Sequence, residues 1–354
     1  HEIMKSGRVT LVCNVKNTFV MKDVELLESM GYYVYLIHSP PYRDPIRFLL
    51  NRVRELFMGF YYAFFSDAFF SWFNDYHTSI PLFWSKLFGK PTTIIVGGFD
   101  AVSSKSLGYG IFLKKNLRQS LARLNYKRCD QIWVVHSTLR DGCPKAKEDS
   151  ATRSGIRTFM PELTTPIYEV PTAYDNSFWR LESDKKPKSV ITVANISDSR
   201  TLERKGIPLF IDLARSLPDF HFTIAGIQSR KELKIKLPAN VQLLGPQTRD
   251  ELKVLYGKHH FYFQGSKVEG LPNVLCEAML CECIPLGKAV FGIPDAIGTT
   301  GLVFQAKDAI PTAIKFLTSK KKYDGANARK QIKKEYPLER REKAFLSLLK
   351  TSSK

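Results

Sequence analysis

The chain has 354 residues, with 53 Lys and Arg against 34 Asp and Glu, a formal charge of +19. Hydrophobic residues make up 44% and charged residues 25%, which supports a buried core and excludes a disordered polymer. At roughly 100–200 residues per domain, this length suggests two domains.

His1, Glu2, Ile3 and Met4 read as residues ahead of a native start, with no secretory signal in view. Residues 8–14 are a short apolar run ending in polar residues and predict a first buried strand. Residues 19–30 have helical spacing through Val20, Val24 and Leu27, and Gly31 stops them. A second strand is predicted at 33–37. Residues 56–73 form the most membrane-like run, but Ser66, Asp67 and Ser71 interrupt it. A spanning helix needs about 20 predominantly apolar residues, so the run reads as buried or interfacial. Further strands are predicted at 68–72, 92–96 and 131–135, with helices between them. One of these helices, 111–127, carries Leu113, Leu117, Leu121 and Leu124 on one side. Strand alternating with helix at this rhythm implies a parallel, doubly wound α/β sheet.

Residues 164–188 are rich in Pro, polar and charged residues and read as a linker. The pattern then restarts, with strands predicted at 189–194, 220–225, 241–244, 261–263, 282–286 and 301–304. Helices are predicted at 207–216, 249–256, 272–279 and 338–349, the last amphipathic through Ala344, Phe345, Leu348 and Leu349. Two such domains leave a cleft where the carboxyl ends of both sheets meet, the usual place for a ligand. The six cysteines are too few for a disulfide scaffold and show no paired Cys-x-x-Cys spacing for zinc, which fits a reducing compartment.

The stretch from Gly265 to Met279 carries the most chemistry. It follows a strand and opens a helix, with Pro272 suited to the first helical turn. The backbone N–H groups of Gly270, Leu271, Asn273 and Val274 are free at such a helix start and, with the helix dipole, suit a phosphate. Glu269 and Glu277 would repel that phosphate unless they bind hydroxyls. A ligand with both a diphosphate and sugar hydroxyls satisfies both demands. The alternative is an ordinary helix start with acidic residues favourable in its first turns.

Glu269 and Glu277, in the form EGLPNVLCEAM, resemble the E-x7-E signature of retaining glycosyltransferases of family 4, which have the GT-B fold. Arg204-Lys205-Gly206 resembles the family's basic-Lys-Gly motif, and Phe222 to Gly226 its "hxhxG" strand. Pro285-Leu286-Gly287, Gly292-Ile293-Pro294 and Thr300 to Phe304 resemble its "PV…GGIPE…GLL" run. Val170 to Asp175 with Phe178 resembles "IPNGVDxxxF". The match covers the chain well from about Pro171 onward, and the first half only in architecture.

The resemblance implies two Rossmann-like doubly wound domains facing across a cleft. An acceptor-binding domain would span 5–170 and a nucleotide-sugar-binding domain 171–330, with a helix in 331–354 packing back toward the first. Glu277 would accept hydrogen bonds from a ribose, and Glu269 would hold hydroxyls of the transferred sugar and stabilise positive charge there. Lys205 would neutralise the departing diphosphate, where preorganised positive charge is worth several kcal/mol. The expected donor is a UDP-, GDP- or ADP-sugar and the acceptor a glycan or a lipid-linked glycan. No cofactor or metal is expected, since no Asp-x-Asp motif occurs and basic groups can substitute.

This chain departs from the family pattern. The loop 197–204 looks longer than usual, and Arg200 is preferred over Arg204 as second phosphate ligand. Asn14 to Thr18 contains no Gly, which puts close backbone approach to phosphate in doubt there. Asp100 is expected to face the cleft as an acceptor-side base or orienting group, or else to form a turn after Gly97 and Gly98. His77 is a second acceptor-side candidate, with hydrogen-bonded structure as its alternative. Arg43, Arg47, Arg52 and Arg54 precede the aromatic run from Phe57 to Tyr62, and Lys114, Lys115, Arg118 and Lys127 flank the leucines of 111–127. Such faces suit an anionic membrane surface on the cytoplasmic side, or are solvated helix faces. Thirteen basic against four acidic residues from 313 onward, including Lys320, Lys321 and Lys322, raise the same choice. The competing functions are a nucleotide-sugar epimerase of the same architecture and a non-catalytic basic protein binding nucleic acid or lipid. No motif that reads DNA or RNA is present, so no specific nucleic acid is expected.

Overall fold

The computed structural model describes residues 7–228, 236–320 and 323–349. His1 to Met4, Lys321 and Lys322 lie outside these residues. The chain begins with β1 (Gly7–Cys13), α1 (Thr18–Ser29), β2 (Tyr32–His38), α2 (Pro45–Phe65), β3 (Ala68–Trp72), α3 (Tyr76–Leu87) and β4 (Thr92–Val96). It continues through β5 (Val102–Ser103), α4 (Leu117–Arg128), β6 (Gln131–Val134), α5 (Thr138–Asp141), α6 (Pro144–Ser150), β7 (Arg153–Ser154), α7 (Ile156–Phe159) and β8 (Ile167–Glu169). The second half opens with β9 (Lys186–Ile196), α8 (Ser199–Arg204), α9 (Ile207–Ser216), β10 (His221–Ile227), β11 (Val241–Leu244), α10 (Arg249–Lys258) and β12 (His259–Gln264). It closes with α11 (Asn273–Leu280), β13 (Ile284–Lys288), α12 (Ile293–Ile297), β14 (Leu302–Phe304), α13 (Ala309–Leu317), α14 (Gly325–Glu335) and α15 (Leu338–Leu349).

Twelve of these strands form two six-stranded parallel sheets, ordered β2-β1-β3-β4-β6-β8 and β11-β10-β9-β12-β13-β14, and β5 pairs antiparallel with β7. Every residue of β3 and β4 is buried, as expected of strands covered by helices on both faces. Strand order reverses between β1 and β3 in the first sheet and between β9 and β12 in the second. Each reversal leaves a crevice at the strands' carboxyl ends.

The last helix returns to the first sheet. Phe345 packs edge-on to Phe70 at 5.1 Å and against Trp133 at 5.3 Å. Arg341, only 1% exposed, donates from Nη2 to Asp23 Oδ2 at 2.6 Å and from Nη1 to the Val170 carbonyl at 2.7 Å. Breaking such a buried pair costs about 3–5 kcal/mol, because the surviving charge is stranded away from water. Helix α15 therefore docks the end of the described chain onto the first sheet.

Several local expectations are revised. The apolar run 56–73 divides at Ser66 and Asp67 into the end of α2 and the buried β3. Helix α4 starts at Leu117, not 111. Ile111 and Phe112 turn inward, Phe112 stacks on Phe159 at 4.3 Å, and Asn116 caps the helix by accepting the Gln119 N–H at 3.0 Å. The linker-like stretch 164–188 contains β8, paired with β6, so the crossing between sheets occupies 170–185. The long loop 197–204 is mostly α8, whose N-cap Asp198 accepts the Thr201 N–H at 2.7 Å.

Candidate active site

A cleft of about 560 Å³ lies between the sheets and is lined from both sides, by Asn17, Phe19 and Phe99 of the first half and Lys205, Glu269 and Glu277 of the second. A shallower depression of about 440 Å³ around Thr300, Asp324 and Gln331 holds none of the expected site residues.

Lys205 ends α8, and Gly206 follows in the left-handed conformation at φ +72°. A Cβ on Gly206 would stand 2.1 Å from the Gly265 carbonyl oxygen, so only glycine lets this turn meet the strand β12 exit. The Lys267 N–H donates to the Arg204 carbonyl at 2.8 Å and stitches the two loops together. This contact brings Lys205 Nζ onto Glu269 Oε1 in an ion pair. Ser266 Oγ donates to the same Oε1 at 2.9 Å, receives Gln264 Nε2 at 2.8 Å, and Gln264 in turn accepts the Tyr262 hydroxyl at 3.1 Å. Glu269 Oε2 has no partner among the described residues. Burial pushes the Glu269 carboxyl up, but Lys205, Arg204 and Ser266 outweigh it and hold the group below the usual carboxylate range. Burial draws the Lys205 ammonium down, partly opposed by Glu269.

Glu277 lies on α11, 3% exposed, with no side-chain hydrogen bond among the described residues. Burial raises its carboxyl, opposed by Lys22 and Arg249. Leu271, Asn273 and Val274 line the cleft at the start of α11, where Pro272 precedes the helix without a side-chain cap. The first N–H groups of this turn thus have no side-chain cap. Gly270 sits behind the wall, with the Gly97 carbonyl oxygen 2.4 Å from where its Cβ would be.

Three further expected residues are placed elsewhere. Arg200 is exposed on α8 and lies beside Gly108, because its helix turns it away; Arg204 lines the cleft instead, packed on the Tyr109 ring at 4.5 Å. Asp100 does not face the cleft. It is fully buried and accepts N–H groups from Asn74 at 3.1 Å, Gly97 at 3.2 Å and Gly98 at 3.1 Å, with burial pushing its carboxyl up to about 7. His77 is also buried, donating from Nε2 to the Trp72 carbonyl at 2.9 Å, and burial lowers it to about 4, so it is neutral and not part of the cleft wall.

Two residues of the first half were not singled out from sequence. Lys22 on α1 donates to the Ala173 carbonyl and to Asn273 Oδ1, both at 3.1 Å, beside Glu277. His136 bridges to Asp295 on α12 at 2.8 Å. Asn17 and Thr18, at the start of α1, face the cleft without any glycine, so two helix starts converge there. Among the described residues, no group of three or more His, Cys, Asp or Glu side chains is arranged to hold a metal ion, and no helix is long and apolar enough to cross a membrane.

Two facing doubly wound domains with a site at both strand reversals define a GT-B architecture. Sucrose-phosphate synthase from Thermosynechococcus elongatus superposes with a TM-score of 0.70 over 98% of this chain and 98% of its own, at 12% identity. Anabaena HepE, solved in complex with UDP, gives 0.63 over 97% and 100%, at 13% identity. At these identities the likeness shows the fold. Residues 174–336 match the family model of glycosyl transferases group 1. A segment of 139 residues is 27% identical to the phosphatidylinositol N-acetylglucosaminyltransferase gpi3 subunit of Schizosaccharomyces pombe. That match covers 36% of this chain and 30% of the relative's length.

Proposed function

We propose that this protein is a retaining glycosyltransferase that moves a sugar from a nucleoside diphosphate sugar to an acceptor hydroxyl. The observation that carries the reading is the convergence of Lys205, Glu269, Glu277 and the α11 start on one interdomain cleft. The Lys205 ammonium has three donor positions, so its bond to Glu269 leaves others for diphosphate oxygens. Arg204 adds a second positive charge beside it, and together they stabilise the leaving diphosphate without themselves giving up a proton. Glu269 Oε2, left without a protein partner, accepts a sugar hydroxyl and places negative charge near the carbon that becomes cationic. Glu277 accepts from the ribose hydroxyls at the helix start.

With the Asp100 carboxylate occupied by three N–H groups, the acceptor proton goes to the departing phosphate oxygen. That oxygen lies on the face from which the hydroxyl attacks, so the anomeric configuration is kept. The basic pair takes the electrostatic part that a metal ion plays in other transferases. The likeness to the S. pombe phosphatidylinositol N-acetylglucosaminyltransferase subunit supports a lipid-linked acceptor.

The test is a thermal-shift panel of UDP-, GDP- and ADP-sugars on wild type and Glu277→Ala. One donor should stabilise the wild type in a concentration-dependent way and lose most of that effect in the variant. Stabilisation by no donor, or equally in both proteins, contradicts the assignment.

A further inference from the structure

We infer that the outer face of α2 lies in the surface layer of an anionic bilayer. This 21-residue helix, about 31 Å long at 1.5 Å per residue, buries only Asn51, Glu55, Gly59 and Ala63. Its opposite face repeats apolar side chains at helical spacing and leaves them in water, with Ile46 71% exposed, Leu49 64%, Leu50 61%, Phe57 70%, Phe60 47% and Phe64 56%. Phe83 and Leu87 of α3 extend the same surface. A monomer rarely exposes so long an apolar stripe without a partner for it.

Charge selects the partner. Arg47 and Arg54 fall along one border of the stripe and Arg43 precedes it, all exposed. The acids nearby are engaged. Glu55, the one acid of α2, is buried against Arg52 at 2.7 Å. Asp44 turns onto the Arg47 N–H at 2.7 Å, and Asp67 onto the Arg8 N–H at 2.7 Å. An apolar stripe edged by exposed arginines complements acyl chains below anionic head groups. The helix starts a few residues after the carboxyl end of β2, on the side of the first sheet where the strands' carboxyl ends lie. An acceptor held in the same bilayer is thereby presented to the cleft; this last step alone rests on the proposed function.

The test is co-sedimentation of the full chain with phosphatidylcholine vesicles, with and without phosphatidylserine. Wild type should bind the anionic vesicles. Leu50→Gln/Phe57→Gln/Phe64→Gln should weaken partitioning by more than about 100-fold, and Arg43→Gln/Arg47→Gln by about tenfold. An unchanged melting temperature and donor-induced shift show that each variant is folded. The inference is overturned if wild type ignores anionic vesicles, if the apolar variant binds as well as wild type, or if wild type forms a dimer in vesicle-free solution that this variant abolishes. Failure to bind vesicles with intact donor hydrolysis overturns the docking and leaves the reaction standing; loss of donor binding in wild type overturns the reaction and leaves the docking standing.

Discussion

Replacing Lys205 by Met removes the ammonium and keeps most of the stem. Glu269 then retains the Ser266 hydroxyl and the more distant Arg204 charge. The two side chains are 20% and 13% exposed, so the stranded carboxylate has little access to water. A broken buried pair costs about 3–5 kcal/mol, and the remaining Ser266 bond puts this one near 3. At roughly 2–4 °C per kcal/mol for a domain of this size, the melting temperature should fall by about 6–12 °C. Lys205→Met/Glu269→Gln leaves no stranded charge and should recover most of that loss, giving a coupling of about 2 kcal/mol. The pH dependence has a definite sign. In the wild type the folded Glu269 carboxyl is held low despite burial, so its contribution is present above the unfolded carboxyl range and is lost as pH falls through the folded value. Affinity for the nucleoside diphosphate is a separate readout. It should drop about 10–100-fold, from the ~1.5–3 kcal/mol of a charged hydrogen bond, and the double variant should not recover it. Calorimetric melting and titration calorimetry measure both. Unchanged stability in Lys205→Met, no recovery in the double variant, or equal nucleotide affinity refutes the reasoning.

Glu269→Gln should retain donor binding while turnover falls at least about 100-fold, since one transition-state group is worth several kcal/mol; steady-state kinetics with full residual turnover would contradict it. Glu277→Ala should lower nucleoside diphosphate affinity about tenfold, because the ribose hydroxyls lose their acceptor. Gly206→Ala should lower the melting temperature and nucleotide affinity together, because a Cβ at φ +72° meets the Gly265 carbonyl and pushes Lys205 off Glu269. Burial raises Glu55 from 4.5 to about 7, so the folded state binds its proton more tightly than the unfolded state and stability declines as pH rises between those values. Glu55→Gln should flatten the melting profile across that window; an unchanged slope argues against the buried carboxyl as its source.

The second domain was largely legible because its determinants are local. Helix Ile207–Ser216 and strand Val241–Leu244 follow from short-range periodicity, and Glu269 and Glu277 sit within one loop-helix unit. Arg200 and Arg204 were not separable from sequence, since the choice depends on the turn of α8, which a polar, loop-like composition conceals. Asp100 followed two glycines at a strand end, a pattern equally suited to a cleft base and to a turn. What decides it is the Asn74 N–H, 26 residues away in the chain. Lys22 carried no signal at all: an isolated lysine on an amphipathic helix reaches Asn273 only through the packing of two domains. The α2 face was visible as an aromatic, basic stretch, but only its unpacked outer side distinguishes it from a core helix.

The central claim is that Glu269 and Lys205 hold an activated sugar so that its carbon is attacked from the side the diphosphate leaves. Proton NMR of the first sugar anomer released when the stabilising donor is slowly hydrolysed, without any acceptor, tests this directly. The account predicts the donor's own anomeric configuration, with release abolished in Glu269→Gln. First release of the opposite anomer, or undiminished release by the variant, contradicts it.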